Sequence, residues 1–192
     1  MRIALSVPPH PPDDAAYAAA RRAEALLGEL AALSPLITLE TAHAAPPAEL
    51  VDDAPVVVTL AGKTRGGVHF AGTPAGYEVP ILVNAILDVS RGETGLSSGT
   101  VRVLEELRNP VSVRMLVSAS CSSCAADARL ALQLAIVSSH VDAWVLDAAQ
   151  LPRFARRIGG TAMPAALIND ICWVPGAQAE LALLARVLFA GT

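Results

Sequence analysis

Residues 111–137 read VSVRMLVSASCSSCAADARLALQLAIV, and this stretch decides the fold. Val111, Val113, Met115 and Val117 alternate with Ser112, Arg114 and Ser118, a period of two that predicts a β-strand over Val111–Val117. From the two cysteines to about Ser139, Ala128, Leu132, Ala135 and Ile136 recur at helical spacing. Cys121 and Cys124 therefore fall where a strand ends and a helix begins. There the unpaired N–H groups and the helix dipole favour a thiolate on the first cysteine. Residues three apart share a helical face, so Cys124 can reach Cys121 to close or resolve a disulfide. Cys121 is assigned as the nucleophile and Cys124 as the resolving thiol.

Spacing alone leaves two other readings open, a zinc half-site or two inert buried thiols. Zinc needs two further ligands. His140 lies 16 residues beyond Cys124 on the same predicted helix, roughly 24 Å away. Cys172 is the only remaining thiol, so the site stays short of tetrahedral. Cys172 is itself expected to be a free structural thiol.

Outward toward the C-terminus come a strand at Val141–Leu146 and a helix at Leu151–Ile158. A hairpin, Ala165–Ile168 and Ile171–Val174, turns at Asn169 and Asp170, and a last helix spans Gln178–Phe189. Thr161-Ala162-Met163-Pro164 opens the hairpin. A cis bond at Pro164 would hold the Met163 backbone beside the dithiol, where an extended peptide could pair with it. The alternative is an ordinary trans proline starting an edge strand.

Outward toward the N-terminus the same order occurs again. Arg2–Val7 reads as a strand ended by Pro8, Pro9, Pro11 and Pro12. Asp13 and Asp14 offer caps for a helix to about Leu33 whose apolar face includes Ala23, Leu26, Leu27, Leu30 and Leu33. Strands follow at Leu36–Glu40, Val56–Leu60 and about Val68–Ala71, the last two joined by a turn at Lys63–Gly67. A helix spans Glu78–Ser90. The Gly- and Ser-rich segment Arg91–Gly99 marks a boundary, and Val101–Arg108 reads as a connecting helix. Strand, helix, strand, hairpin, helix, twice over, is the thioredoxin arrangement. The expectation is an α/β protein of two fused thioredoxin-like folds, mixed central sheets flanked by helices, over residues 1–92 and 100–192.

Composition bounds the rest. The chain has 192 residues, 53% hydrophobic and 17% charged, with formal charge −4 and Lys63 as its only lysine. That balance supplies a core and offers no basic surface for nucleic acid or an anionic membrane. No apolar run approaches the roughly 20 residues of a spanning helix. Met1–Val7 lacks a signal-peptide pattern, and three cysteines do not make a disulfide framework. The cytoplasm is the expected location.

Three sets of residues carry a family resemblance. They are Phe70-Ala71-Gly72-Thr73-Pro74-Ala75-Gly76-Tyr77-Glu78, Ser120-Cys121-Ser122-Ser123-Cys124, and Met163-Pro164 followed by Ile168-Asn169. The chain resembles the N-terminal domain of the flavoprotein subunit of bacterial alkyl hydroperoxide reductase over nearly its whole length. That domain has two fused thioredoxin-like folds, of which the second keeps its dithiol. By architecture the chain is also similar to glutaredoxin-like protein disulfide oxidoreductases.

The resemblance implies that Cys121 and Cys124 shuttle electrons and that Pro164 is a cis-proline, with Met163 and Ser120 beside the bound peptide. It also implies that Glu78 lies near the dithiol and relays a proton; the simpler reading is a first-turn carboxylate favoured by a helix dipole. No Gly-x-Gly-x-x-Gly fingerprint occurs, so no flavin or nicotinamide cofactor is expected, and no metal. The redox group would be the Cys121–Cys124 disulfide itself. The expected activity is thiol–disulfide exchange with protein disulfides, a peroxiredoxin among the candidate partners, with a separate flavoprotein disulfide reductase as electron donor. Peroxide detoxification would be the setting. The alternative is a binding or adaptor module whose redox cycling is secondary. The sequence leaves the oligomeric state open.

Overall fold

The computed structural model describes residues 1–9, 13–44, 47, 56–158, 163–170, 172–175 and 179–191, with 172–175 described as backbone alone. Pro11, Pro12, Thr161, Ala162, Ile171, Gln178 and the Cys172 side chain, each read from the sequence above, lie outside the described residues.

The elements in chain order are β1 (Arg2–Val7), α1 (Asp14–Ala32), β2 (Thr38–His43), β3 (Val57–Ala61), β4 (Gly67–Ala71), α2 (Glu78–Arg91), α3 (Ser98–Glu105), β5 (Val111–Val117), α4 (Cys124–Val137), β6 (Val141–Asp147), α5 (Pro152–Arg157), β7 (Ala165–Ile168), β8 (Cys172–Pro175) and α6 (Glu180–Ala190). Local chemistry accounts for several of these boundaries. Asp13 caps α1 by accepting the Ala16 N–H at 2.8 Å. Ser97 does the same for α3 through Thr100 at 3.2 Å, so this helix starts three residues earlier than apolar spacing predicts.

Among the described residues the eight strands form one sheet, in the order β2-β1-β3-β4-β6-β5-β7-β8. Its two halves have identical wiring. In each, the first two strands pair in parallel, the third pairs antiparallel with the first, and the fourth antiparallel with the third. The expected pair of sheets is joined into one by parallel pairing of β4 with β6, from Gly67↔Asp142 to Ala71↔Leu146.

β2 departs from its expected bounds. It starts at Thr38 and runs to His43, because each residue of β1 from Arg2 to Val7 takes a parallel partner there. The terminal amine of Met1 anchors the approach by donating to the Leu36 carbonyl at 2.8 Å. Apart from Leu39, its residues are exposed, so its own apolar pattern could not define its ends.

Alternation along β5 divides the core as expected. Val111, Val113, Met115 and Val117 join the larger cluster, with residues of α1, α2, α3, α4 and α6. Leu116 faces a smaller cluster on the opposite side, with Trp144, Leu146, Leu151, Phe154 and Leu167. Burying a side chain of this kind contributes roughly 1.5–3 kcal/mol.

Polar contacts join the halves on both faces of the sheet. Between α2 and α4, the buried Asp88 accepts two hydrogen bonds from Arg129 (2.9 and 2.8 Å) and one from Gln133 (2.9 Å). Across the β4–β6 seam, His69 stacks on Trp144 with ring centroids 4.4 Å apart and lies 3.1 Å from Asp142 Oδ1.

Candidate functional site

The parallel strands β4, β6 and β5 end side by side at Ala71, Asp147 and Val117. Open α/β sheets bind their ligands beyond such carboxyl ends. Here the chain leaves β5 through residues 118–123 and enters α4 at Cys124. Two tight turns shape the crossing: Cys121 N–H donates to Ser118 O at 3.0 Å, and Cys124 N–H to Cys121 O at 3.3 Å. Cys121 and Cys124 form a disulfide, their Cα atoms 5.4 Å apart. The helix thus begins at the second cysteine, and the first lies in the turn before it.

The two sulfurs have different surroundings. Cys124 is fully buried in the larger core, whereas Cys121 is half-buried. The Ser123 hydroxyl does not cap α4 and lies 3.6 Å from Cys121 Sγ. Ser120 is exposed, its hydroxyl 3.2 Å from that of Ser118. Thiol–disulfide exchange depends on which sulfur an incoming thiolate can reach, and in this arrangement that sulfur is Cys121.

Met163–Pro164 is a cis peptide. Pairing of Leu116 with Ala165 brings it to the end of β5 from which the cysteine turn departs. Pro164 is buried and Met163 half-buried, packed against both core clusters.

The loop between β4 and α2 docks on the cysteine turn from the other half of the molecule. Tyr77 N–H donates to Ala119 O at 3.0 Å. Gly76, at φ +51°, makes the approach possible, since a Cβ there would stand 2.3 Å from Ala119 O. Glu78 is the first residue of α2, as a first-turn carboxylate would be, yet it is 2% exposed. Its Oε2 accepts the Ala75 N–H at 3.1 Å, and Glu78 N–H donates to Ala75 O at 2.9 Å. Oε1 is buried without a hydrogen-bond partner among the described residues. Burial pushes this carboxyl up and the charge of Asp147 adds to the effect, while the Ala75 amide opposes both, leaving it at about 7 against an ordinary 4.5.

Asp147 carries no mark of its role in the sequence. The predicted strand stops at Leu146, and an acid closing an apolar strand is ordinarily a solvated cap. In the fold it is 5% exposed and, with Glu78, lines a cavity of about 10 Å³.

With the duplicated wiring and a cis-proline beside the disulfide, the architecture is decided. The chain is a tandem thioredoxin fold. Solved structures agree. The alkylhydroperoxide reductase protein AhpF of Enterococcus faecalis superposes with a TM-score of 0.80 at 22% identity, covering 97% of this chain and 90% of that chain. A structure of the N-terminal domain of the same AhpF gives a TM-score of 0.79 at 21% identity, with the same two coverages. A protein disulfide oxidoreductase from Aeropyrum pernix gives a TM-score of 0.80 at 20% identity, over 99% of this chain and 85% of that chain. No protein-family model and no curated protein matches the chain. Among the described residues of this tandem thioredoxin fold, no helix is long and apolar enough to cross a membrane. None of them form a group of three His, Cys, Asp or Glu side chains able to hold a metal ion.

Proposed function

We propose that this protein is a thiol–disulfide oxidoreductase that reduces protein disulfides, a peroxiredoxin among them, and is re-reduced by the dithiol of a separate flavoprotein. The observation that carries this reading is the asymmetric disulfide, with Cys121 accessible in the turn and Cys124 buried in the core at the first residue of α4.

In the reduced protein the Cys121 thiolate, favoured by the N-terminus of α4, attacks a sulfur of the partner's disulfide. A mixed disulfide forms, and the first partner sulfur leaves as a thiolate that takes a proton from water. The Cys124 thiol gives its proton to the Glu78 carboxylate, and the resulting thiolate attacks Cys121 Sγ. The bond from Cys121 to the partner breaks, the second partner thiolate leaves, and the Cys121–Cys124 disulfide remains. Two electrons have passed to the partner. Exchange with the reductase's dithiol runs the same steps backward. The backbone at Met163 and the hydroxyl of Ser120 hold the partner's chain, as an extended peptide, beside Cys121. Glu78 suits the proton step because a carboxyl near 7 can both take and give a proton at neutral pH.

The redox group is the disulfide itself, and the scheme calls for no resident cofactor or metal. Residues 1–92 and 100–192 serve as the two domains, the first lending Glu78 to the dithiol of the second. The reading places the protein in the reducing cytoplasm, in peroxide detoxification.

The test is a redox titration of the dithiol, read by thiol alkylation and mass spectrometry. A reversible two-electron couple near the roughly −270 mV of thioredoxin supports the reductant role. A value near roughly −180 mV would reverse the direction of flow to an oxidase or isomerase. No reversible couple would sink the reading in favour of an adaptor module.

A further inference from the structure

Glu78 and Asp147 come from different halves of the molecule and meet at one small cavity. Its remaining walls are Phe70, Ala71, Gly72, Pro74 and Val145, so among the described residues these two carboxyls are its only ionisable lining groups. Its volume of about 10 Å³ is that of a site for a single water, and Glu78, which lines it, has an oxygen, Oε1, that is buried without a hydrogen-bond partner among the described residues. Leaving a buried carboxyl oxygen without a partner is unfavourable, and the space is large enough for one water to supply the missing donor.

Asp147 is held firmly in this position. Its Oδ1 accepts the Ala149 N–H at 2.9 Å, and Gln150 Nε2 donates to its Oδ2. The same Gln150 amide grips the backbone of Thr73 at both ends, accepting its N–H at 2.8 Å and donating to its carbonyl at 2.9 Å. Thr73 lies in the loop that leads into Glu78. On its other side Asp147 is the strand partner of Val117, and Ala148 N–H donates to Val117 O at 2.9 Å. Asp147 thus ties the strand that carries the dithiol to the loop that carries Glu78.

We propose that Asp147 is a positioning residue of the dithiol site, which holds Glu78 across the water-sized cavity and sets how tightly Glu78 keeps its proton. The inference rests on the reading of Glu78 as proton carrier for Cys124. The negative charge of Asp147 favours the neutral form of Glu78, so the carboxyl arrives protonated when the disulfide is opened. Other ionisable groups on neighbouring elements are Arg22 on α1, Asp127 on α4, the Asp88–Arg129 pair between α2 and α4, and Arg153 on α5. None of these lines the cavity.

The experiment is a carboxyl ¹³C NMR titration of the full-length protein in its disulfide form. In the unaltered protein the Asp147 carboxyl signal is expected to carry an inflection at the Glu78 midpoint, because coupled carboxyls report each other. In Asp147→Asn the Glu78 midpoint is expected to move to acid by about one pH unit. Gln150→Ala loosens the same loop but keeps the charge, and is expected to cause no acid shift. Absence of the shared inflection, a Glu78 midpoint unmoved in Asp147→Asn, or an equal acid shift in Gln150→Ala would each overturn the proposal. The relay is judged separately, by the pH profile of the rate at which Cys124 resolves a preformed mixed disulfide on Cys121. If Glu78→Gln leaves that profile unchanged, the relay falls while the Asp147–Glu78 coupling stands on the titration.

Discussion

The amide of Tyr77 donates to the carbonyl of Ala119 at 3.0 Å, and through this bond the half without a dithiol holds the turn that carries it. Tyr77 is the residue before Glu78 and Ala119 is two residues before Cys121. A perturbation of the β4–α2 loop therefore reaches both the buried carboxyl and the accessible cysteine.

Gly76 makes this approach possible, and Gly76→Ala tests it. The new Cβ would meet Ala119 O at 2.3 Å in a backbone at φ +51°, which predicts a loss of roughly 2 kcal/mol. Gly28→Ala in α1 is the control, because nothing lies within 4 Å of its Cβ position. A helical Ala there gains about 0.5–1 kcal/mol. Urea denaturation of both variants gives the comparison; equal effects would mean that the loop is not tightly docked.

The carboxyl of Glu78 makes stability depend on pH. Its folded value of about 7 lies above the ordinary 4.5, so the folded chain binds this proton more tightly than the unfolded chain. The contribution is complete below pH 4.5 and is lost as pH rises through 7. The full span is roughly 3 kcal/mol. Urea denaturation of the disulfide form at about pH 4.5 and about pH 8.5 is expected to show wild type losing about that much relative to Glu78→Gln. Parallel pH dependences would refute a titrating carboxyl.

The unequal burial of the cysteines predicts unequal variants. Cys124→Ser leaves the accessible Cys121 able to attack but nothing to resolve the product, so a mixed disulfide with a protein substrate accumulates on non-reducing gels. Cys121→Ser leaves a thiol that is 0% exposed, and both the mixed disulfide and turnover are lost. Equal trapping by the two variants would contradict the assignment of roles.

Arg129→Ala removes two of the three donors from the buried Asp88. A charge-assisted contact of this kind is worth about 2 kcal/mol, and that is the expected loss by denaturant titration. A loss below about 0.5 kcal/mol would show that the remaining Gln133 contact and solvent satisfy the carboxylate.

What the sequence discloses follows from how local each signal is. The β5–turn–α4 unit is legible because alternation, a dithiol at spacing three and a helical stripe adjoin one another. The pairing of β4 with β6 has no such trace, since a parallel contact between residues some 75 apart leaves no pattern in either strand. For the same reason the ends of β2 escape a sequence reading, being set by its partner β1. Glu78 is reached only through a resemblance. Its neighbour Asp147 is not reached at all, because an acid at a strand end looks like a solvated one until the other half covers it.

The seam between β4 and β6 has a directional consequence. In the repeated wiring, β4 is the last strand of the first unit, as β8 is of the second, and β6 occupies in the second unit the place β2 has in the first. The units therefore follow each other by translation, like tiles in a row, and not by a two-fold axis. The outer borders of the row are unlike: β8 is the kind of edge that accepts a following tile, and β2 the kind that follows one. A third unit appended after α6 would meet at β8 the polarity that the second met at β4, whereas two copies brought together by a two-fold axis would meet border to like border and could not reproduce the seam.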